Sequence, residues 1–373
     1  MWRPSEAVNP ESNADGLGVP SYKASYFNRL QLMKDATSNS TPRAVALFSG
    51  GLDSMLAIRI MQLQGFEVES LNIRTIYSCC KTPAAQAAID LGTRLTVLSV
   101  EDDYLDLLRN PRYGYGKGAN PCIDCRIHMC RMAGRFMQEV GACVVVTGEI
   151  AGQRPMSQKK PHLHAVDRHS GLDGRLLRPL SAKLLPETRV EREGLIDRDK
   201  LYAFHGRGRG ALIDLARELG LSETPSPSTG CALTERSFAP RVHDLLQYRS
   251  EGARWEFELL NYGRHIRLDE RTKIVVGRNA GENAVLRSFA SREAGSLQDG
   301  ADMALLSPEG FAGPDVLTVG RVSAAALQFA AELLLRYSRL QPTSSRNVRM
   351  THRGNQQVVS VTSSEAAHAA ATL

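Results

Sequence analysis

The chain has 373 residues, of which 42% are hydrophobic and 6% aromatic, and its formal net charge is +6. This length exceeds one typical domain, so we expect two or three hydrophobic cores in a soluble, globular protein. No apolar run is long enough to span a bilayer as a helix. The N-terminus lacks signal-peptide features, and seven cysteines in so long a chain do not suggest a secreted disulfide scaffold. A cytoplasmic location with reduced thiols is therefore expected.

The positive charge is unevenly distributed. Residues 152–210 contain 13 lysines and arginines against 7 acidic residues, an excess that equals the net charge of the whole chain. A basic segment within an otherwise neutral protein is typical of a local polyanion site, although solvated surface charge would give the same count.

Residues 1–42 are polar and predict an N-terminal extension with one short helix near residues 26–34. From residue 43, strand and helix patterns alternate. This alternation predicts a Rossmann-like α/β domain over residues 43–240, with a parallel sheet covered on both faces and ligands at the carboxyl ends of its strands. The predicted strands are 44–48, 66–73, 95–100 and 143–147, and the predicted helices are 55–63, 83–91, 102–108, 125–140 and 211–219.

The pattern changes after about residue 255. A hairpin is predicted at 262–268 and 273–276, helices at 282–290 and from a Ser323 cap to about residue 337, and a strand pair at 348–350 and 358–361. These elements predict a smaller α+β domain over residues 241–362, and residues 363–373 are expected to be a frayed tail.

The six residues Ser49-Gly50-Gly51-Leu52-Asp53-Ser54 lie between a predicted buried strand and a predicted helix. Two glycines let the backbone approach a phosphate, and the first amides of the helix then point at it. A Walker loop would end in Gly-Lys-Ser or Gly-Lys-Thr, and this chain has no such string. The motif therefore predicts a phosphate-binding turn of another kind.

Three cysteines are candidates for chemistry. Cys122 and Cys125 form a CxxC motif at the start of a predicted helix, where a thiol pKa is expected to be lowered. Cys231 follows a loop of alternating Pro and Ser, the kind of segment that displays reactive groups. Cys130 and Cys143 are expected to be packing residues, and the adjacent cysteines at 79 and 80 are not expected to be catalytic.

Three arrangements of these thiols remain open. All three cysteines could ligate an iron-sulfur cluster that leaves one iron without a protein ligand. Cys125 and Cys231 alone could instead alternate between persulfide and disulfide without a metal. A zinc ion held by the three cysteines and His128 is a further alternative.

The glycine motif resembles the PP-loop of ATP pyrophosphatases, and residues 43–240 resemble the tRNA-thiolating members of that family, the 2-thiouridylases and the sulfurtransferase domain of 4-thiouridine synthetases. The resemblance rests on the glycine motif, Asn-Pro-Cys-x-x-Cys at 120–125, Thr-Gly-Glu at 147–149 and Ser-Thr-Gly-Cys at 228–231. It implies an adenine nucleotide alpha-hydrolase-like fold and ATP-dependent thiolation of a uridine in tRNA.

The same resemblance implies roles for individual residues. ATP would be held by Ser49, Gly50, Gly51, Asp53, Ser54 and Gly148, with Asp53 helping to place Mg²⁺. The catalytic pair would be Cys125 and Cys231, and Cys122 would complete the ligands of a 4Fe-4S cluster, as in some relatives. The sulfur donor would be sulfide or a persulfide carrier.

Two segments are predicted to contact RNA. The string at 152–158 resembles a segment near nucleotide and RNA in 4-thiouridine synthetase relatives, and its neighbourhood supplies Arg154, Lys159, Lys160 and Arg178. The C-terminal part resembles an NFACT-type RNA-binding domain through Gly-Arg-Asn-Ala-Gly-Glu-Asn at 277–283, and its hairpin supplies Arg264 and Arg267. An amide ligase or nitrile synthase that uses ammonia, and a non-catalytic RNA-binding protein, are the alternative functions.

Overall fold

The computed structural model describes residues 41–78, 84–221, 225–226, 230–293, 302–338 and 345–373. Most of the predicted N-terminal extension, the cysteines at 79 and 80, and two residues of the Ser-Thr-Gly-Cys string lie outside these residues. From Pro42 onward the described chain forms one compact unit. None of its described helices combines the length and hydrophobicity that crossing a membrane requires.

The first lobe is built on a five-stranded parallel sheet with the order β3-β2-β1-β4-β5. Its strands are β1 (Arg43–Leu47), β2 (Glu67–Arg74), β3 (Arg94–Ser99), β4 (Val144–Thr147) and β5 (Leu176–Leu177). The strand order reverses direction between β1 and β4, and in sheets of this type ligands bind at that switch point. The predicted parallel α/β fold is confirmed.

The helices of this lobe cover both faces of the sheet. They are α1 (Leu52–Leu63), α2 (Ala84–Asp90), α3 (Asp103–Arg109), α4 (Cys122–Glu139), α5 (Lys160–His169), α6 (Arg189–Arg192), α7 (Gly210–Glu218), α8 (Ala239–Tyr248) and α9 (Arg254–Leu259). One hydrophobic core lies between α1, α7 and the sheet, and another lies between α4 and the opposite face. Because both faces are covered, the central strand β1 is a continuous buried run from Ala44 to Leu47. Helices α5, α8 and α9 were not among the predicted helices.

The second lobe contains a six-stranded antiparallel sheet with the order β11-β10-β8-β9-β7-β6. Its elements are β6 (Arg264–Asp269), β7 (Thr272–Val276), α10 (Ala280–Glu293), β8 (Asp302–Pro308), β9 (Val316–Gly320), α11 (Ala324–Arg336), β10 (Arg346–His352), β11 (Asn355–Val361) and α12 (Glu365–Ala369). The hairpin, the strand pair and the Ser323 cap, which accepts a hydrogen bond from the Ala326 amide, are confirmed. Strands β8 and β9 were not predicted.

The C-terminal residues differ from the expected frayed tail. Helix α12 buries Ala367 in the same core as α11, and its Ser364 cap accepts a hydrogen bond from the Ala367 amide. The guanidinium of Arg336 donates to the carbonyls of Ala367 and Ala370. Alanine-rich composition concealed this helix, because it offers the core only one small buried side chain.

Candidate active site

The glycine motif forms the turn between β1 and α1. Gly50 has a φ of +74°, a conformation that favours glycine, and Gly51 caps the helix without a side-chain hydrogen bond. The Ser54 hydroxyl donates to the Gly51 carbonyl at 2.8 Å, and the Gly51 amide donates to Ser49 Oγ at 3.3 Å. The turn therefore has the predicted geometry, with the amino end of a helix beside two glycines and two hydroxyl groups.

A second glycine segment packs against this turn. In the sheet register Leu47 pairs with Thr147, so the chain leaves β1 and β4 at the same level. A Cβ atom added to Gly148 would lie 2.5 Å from the carbonyl carbon of Asp53 and 2.6 Å from the Ser54 amide nitrogen. Only glycine allows the two segments to come this close, which gives a steric reason for a glycine at position 148, a residue predicted to help hold ATP.

Asp53 has one side-chain partner among the described residues. Gln153 Nε2 donates to Asp53 Oδ2 at 2.9 Å, which joins the nucleotide turn to the segment at 152–158. The Asp53 carboxylate stands at the edge of the turn, and carboxylate oxygens are the ligands that Mg²⁺ prefers. Its chemistry fits the role that the resemblance implies.

A buried ion-pair network lies next to Gly148. Glu149 is 2% exposed, and its two carboxylate oxygens lie 3.0 Å from Nε of Arg126 and 3.0 Å from Nε of Arg178. Arg178 also donates to Asp167 at 2.7 Å. Burial alone would raise the pKa of Glu149, but the two guanidinium groups outweigh it and hold that pKa below its ordinary value.

This network corrects one RNA prediction. Arg178 is 3% exposed and ion-paired on two sides, so its guanidinium faces the protein interior. The sequence count of basic residues could not distinguish a buried cation from a surface one. The network has a structural consequence of its own, because Arg126 directly follows Cys125 in α4 and thereby ties the cysteine helix to the Thr-Gly-Glu segment.

The CxxC motif occupies the first turn of α4. Asn120 Nδ2 donates to Cys122 Sγ at 3.0 Å, and the Asn120 side-chain oxygen accepts the Gly118 amide. Tyr104 Oη donates to Cys125 Sγ at 3.6 Å. Both sulfurs are therefore held by polar neighbours.

The expected lowering of the thiol pKa is wrong for Cys125. Burial raises the pKa of this thiol to about 11, and the hydrogen bond from Tyr104 only partly opposes that effect. Desolvation also raises the pKa of Cys231. Helix position alone predicted thiolates, whereas packing against the aromatic core around Tyr104 keeps these thiols in their neutral form.

The structure brings Cys231 to the CxxC motif. Cys231 lies close enough to Cys122 for the charges of the two thiols to interact, and Cys125 interacts in the same way with both. Cys125 and Cys231 also pack against one hydrophobic core. A backbone hydrogen bond of 3.0 Å from Ala119 to Leu233 joins the loop before the motif to the segment after Cys231. Residues far apart in sequence thus converge through ordinary backbone contacts.

The close approach of those two loops depends on a glycine. A Cβ atom on Gly118 would overlap the carbonyl oxygen of Leu233. On the other side, the Ala232 amide donates to the Tyr77 carbonyl at 3.4 Å, just beyond the carboxyl end of β2. The Cys231 segment is therefore held between the end of the parallel sheet and the loop that starts α4.

The described part of the chain offers no ready metal site. No group of three His, Cys, Asp or Glu side chains among the described residues is arranged to hold a metal ion. His128 lies beside Tyr104, with its Nδ1 3.8 Å from Asp103. The thiols are the right donors for iron or zinc, but they do not lie as a set of ligands.

The other two described cysteines behave as packing residues. Cys130 is fully buried on α4, and Cys143 is half-buried against the core beside α1. Cys143 Sγ contacts the Arg43 carbonyl at 3.4 Å. Neither lies at the junction of the CxxC motif and Cys231.

The predicted RNA-contacting residues of the first lobe fall into two groups. Arg154, Lys159 and Lys160 are exposed, and no carboxylate of a described residue pairs with them. Arg154 directly follows Gln153, which contacts the nucleotide turn, and Lys159 follows Gln158, whose carbonyl accepts a hydrogen bond of 2.7 Å from the Gly152 amide, so both adjoin the loop that contacts that turn. Arg178, in contrast, is internal.

The hairpin of the second lobe turns its predicted RNA contacts inward. Arg267 donates to both carboxylate oxygens of Asp244, at 2.8 and 2.7 Å, and lies over the Tyr248 ring. The guanidinium of Arg264 lies 4.8 Å from the centre of the Tyr337 ring. Arg267 is thereby paired within the protein, which corrects its assignment as a free phosphate contact, whereas Arg264 is partly buried against a ring and has no carboxylate partner among the described residues.

The Gly-Arg-Asn-Ala-Gly-Glu-Asn string is also structural. Arg278 pairs with Glu282 within the string, and the Asn283 side chain bonds to the backbone of Gly313 and Asp315. A Cβ atom on Gly277 would overlap Asn283. The string thus fixes the start of α10 against the loop before β9.

Several residues of the site were not among the predicted site residues. Glu149 stands within the Thr-Gly-Glu string and Arg126 directly follows the CxxC motif, so an opposite-charge pair between two motifs was available as a signal. Asn120 stands within the Asn-Pro-Cys string. For Tyr104, which lies in α3, the local sequence gives no signal.

Comparison with protein families now adds to this geometry. Residues 39–183 match the family described as thiamine biosynthesis protein (ThiI). Residues 263–371 match the family described as NFACT protein RNA binding domain. The first lobe thus resembles a ThiI-type PP-loop domain, and the second lobe resembles an NFACT-type RNA-binding domain. Both resemblances seen in the motifs are therefore confirmed.

Known relatives of the chain match only in part. The tRNA-specific 2-thiouridylase MnmA of Trichlorobacter lovleyi is 32% identical over 116 residues, which are 28% of this chain and 33% of the relative. A Thermococcus kodakarensis protein named "Probable tRNA sulfurtransferase" is 28% identical over 142 residues, 37% of this chain and 36% of that protein. The chain thus spans about a third of the length of these curated relatives.

Among solved structures, a 4-thiouridine synthetase–RNA complex with bound ATP is 20% identical to the chain. The TM-score is 0.34, over 55% of this chain and 52% of that one.

Proposed function

We propose that the protein is an adenylating tRNA sulfurtransferase, which replaces a carbonyl oxygen of a uridine in tRNA with sulfur at the expense of ATP. One observation carries the proposal: the segment of Cys231 packs against the loop that starts the Cys122–Cys125 helix, and one ion pair joins that helix to the residues on the PP-loop turn. That ion pair, Arg126 with Glu149, links the cysteine helix to the segment packed on the turn. The names of the partial relatives point to the same chemistry.

The PP-loop turn supplies the site for ATP. Backbone amides and hydroxyl groups at the start of α1 favour the pyrophosphate end of the nucleotide, because the helix dipole is positive there. Asp53 would help to place Mg²⁺, which supplies charge neutralisation when bound. The residues of this site are Ser49, Gly50, Gly51, Asp53, Ser54 and Gly148.

The first chemical step makes the oxygen a leaving group. The uridine carbonyl oxygen attacks the α-phosphorus of ATP, the bond to the β-phosphate oxygen breaks, and pyrophosphate departs. The base is then an ester of AMP. Attack by sulfur on its carbon expels AMP, which carries away the original oxygen, so the balance requires one ATP and one sulfur per base.

The sulfur step is assigned to Cys125 and Cys231. A sulfur donor of the persulfide-carrier class loads one of the two thiols, and the terminal sulfur of that persulfide attacks the adenylated carbon. The second thiol then breaks the remaining sulfur–sulfur bond, which releases the thiolated base and leaves a disulfide between the two cysteines. A thiol reductant of the cell restores the pair.

A 4Fe-4S cluster is the alternative carrier of sulfur. Cys122, Cys125 and Cys231 would hold it, and its fourth iron would supply a position for sulfide. The three thiols are of the right kind, but no three described side chains lie as metal ligands. We therefore derive the sulfur step from the thiols and leave the cluster to experiment, where anaerobic purification distinguishes a brown protein from a colourless one.

The exposed cations Arg154, Lys159 and Lys160 are proposed to contact tRNA phosphates. Arg154 directly follows Gln153, which contacts Asp53, and Lys159 follows Gln158, whose carbonyl accepts the Gly152 amide, so a bound RNA would run past the entrance to the nucleotide turn. Phosphate contacts of this kind fix the position of RNA without reading its sequence. The second lobe would add RNA affinity, as its family description suggests.

The experiment follows pyrophosphate, AMP and thiolated nucleoside in one reaction that contains ATP, tRNA and a sulfur donor. Asp53→Ala should abolish all three products. Cys231→Ala should abolish thiolation, whereas Cys143→Ala, which alters a half-buried cysteine away from the junction, should not. Formation of ADP would contradict the PP-loop assignment, and ammonia-dependent product formation by Cys231→Ala would favour an ammonia-dependent enzyme.

A further inference from the structure

The basic segment at 152–210 contains cations that form ion pairs and cations that do not. Between residues 187 and 200 the carboxylates bind their own neighbours, in the pairs Arg189–Glu193, Arg198–Glu191 and Lys200–Asp197. Asp167 is used by the buried Arg178. The excess positive charge of the segment therefore remains elsewhere, on residues that no described carboxylate neutralises.

One of these residues is Arg207, which lies in the turn formed by residues 205–210, His-Gly-Arg-Gly-Arg-Gly. Arg207 is exposed, and within the described chain no acidic side chain pairs with it. Gly206 has a φ of +82°, and space is open around Gly206, Gly208 and Gly210. The arginine thus projects from a turn whose neighbours leave its guanidinium accessible from outside.

The base of the 205–210 turn is anchored beside the nucleotide turn. The Gly206 amide donates to the Ala151 carbonyl at 2.8 Å, and Ala151 forms a bridge with His205. Gly152 packs on the His205 ring, where a Cβ would lie 2.7 Å from Nε2. The next residue, Gln153, holds Asp53. A short run of contacts therefore connects Arg207 to the ATP site.

The other end of the turn contacts the segment that precedes Cys231. Arg209 is half-buried and donates from Nη2 to the Pro225 carbonyl at 3.0 Å. Pro225 precedes Cys231 by six residues. The 205–210 turn therefore lies between the segment that contacts the nucleotide turn and the loop that leads to the distant cysteine.

We propose that the 205–210 turn is a phosphate contact for the RNA backbone, with Arg207 as the residue that makes it. The inference rests on the proposed function, because it assigns a second RNA-binding segment to the same site. Arg207 would act together with Arg154, Lys159 and Lys160, because the base of its turn contacts the residues just before Gln153. An arginine recognises a phosphate through parallel N–H donors, which suits a turn with no competing carboxylate.

The test compares Arg207→Ala with Arg217→Ala in the full chain. Arg217 is a matched control, because it is exposed on the adjoining helix α7 but paired with Asp214. Binding of an unmodified tRNA transcript is measured over a series of salt concentrations. Loss of one phosphate contact should make the negative slope of log affinity against log salt shallower by about one. The loss of tRNA affinity relative to the wild type should therefore be about fourfold larger at roughly 50 mM than at 200 mM salt. Arg207→Lys should keep most of the slope.

Three results would overturn or redirect the inference. Equal slopes for Arg207→Ala and Arg217→Ala would remove the contact while leaving the proposed function intact. A wild-type protein that bound no tRNA would contradict the proposed function as well. The ATP phosphates are the competing source of the same chemistry, so weakened ATP binding by Arg207→Ala, measured without RNA and with tRNA affinity preserved, would assign the turn to the nucleotide and reject the RNA contact.

Discussion

Substitution of Gly148 by alanine tests whether the two ATP-site segments must touch. The new methyl group would lie 2.5 Å from the carbonyl carbon of Asp53 and 2.6 Å from the Ser54 amide nitrogen. Ordinary Cβ contacts begin near 3.4 Å, so the start of α1 must retreat from β4 by nearly 1 Å. The atoms that block the methyl group are backbone, which cannot rotate away as a flexible side chain would.

The magnitude follows from that displacement. A shift of about 1 Å in a positioned reactive group costs roughly 100-fold in rate, and the overpacking itself costs about 1–3 kcal/mol of the free energy of unfolding. Gly148→Ala should therefore release pyrophosphate from ATP about 100-fold more slowly while remaining folded. The displacement acts on Asp53, so the Mg²⁺ dependence of the reaction should change with it.

The assay measures tRNA-dependent pyrophosphate release and thermal unfolding of the same preparation. Gly210→Ala serves as the stability control, since a Cβ there meets nothing within 4 Å, and it should match the wild type in thermal unfolding. Normal pyrophosphate release by Gly148→Ala would refute the steric reasoning. Complete unfolding would show instead that the contact stabilises the lobe, and a serine in place of alanine should then fail equally.

Three further predictions concern the cysteine junction and the two buried ion clusters. Gly118→Ala should separate the two cysteine loops and reduce thiolation far more than pyrophosphate release, and parallel losses in both assays would contradict this. Glu149→Gln should leave Arg126 without a carboxylate partner among the described residues and the buried Arg178 with Asp167 alone. It should lower the free energy of unfolding by about 3–5 kcal/mol, measured by urea denaturation, whereas a loss under 1 kcal/mol would contradict the network. Burial, only partly offset by Asp244, lowers the pKa of Lys273 from 10.5 to about 8. The unfolded chain binds this proton more tightly, so the free energy of unfolding of the wild type relative to Lys273→Met should rise by up to about 3 kcal/mol between about pH 8 and pH 10.5. A difference that does not change with pH would contradict the assignment.

Much of the first lobe was predictable because its signals are local. The apolar run that became β1 and the glycine pair after it need only the neighbouring residues to be recognised. The hairpin of the second lobe was also predictable from its local sequence. Strands β8 and β9 were missed because they lie in the centre of an antiparallel sheet, where pairing partners distant in sequence determine the strand.

The chemistry of individual side chains was less predictable. Residue type showed that Arg178 and Arg267 are cations, but only the fold shows that they form ion pairs with Glu149 and Asp244. Helix position suggested a lowered pKa for Cys125, whereas its packing against the core raises it. Burial is a property of the whole fold, and a local pattern cannot report it.

Sulfur transfer to tRNA is tested by analysis of the nucleosides of a tRNA transcript after reaction with the protein, ATP and a sulfur donor. We expect a uridine in which sulfur replaces one oxygen, formed together with AMP and pyrophosphate and absent when ATP is omitted. A transcript that stays unmodified while ATP is converted to ADP, or a base in which nitrogen replaces the oxygen, would contradict it.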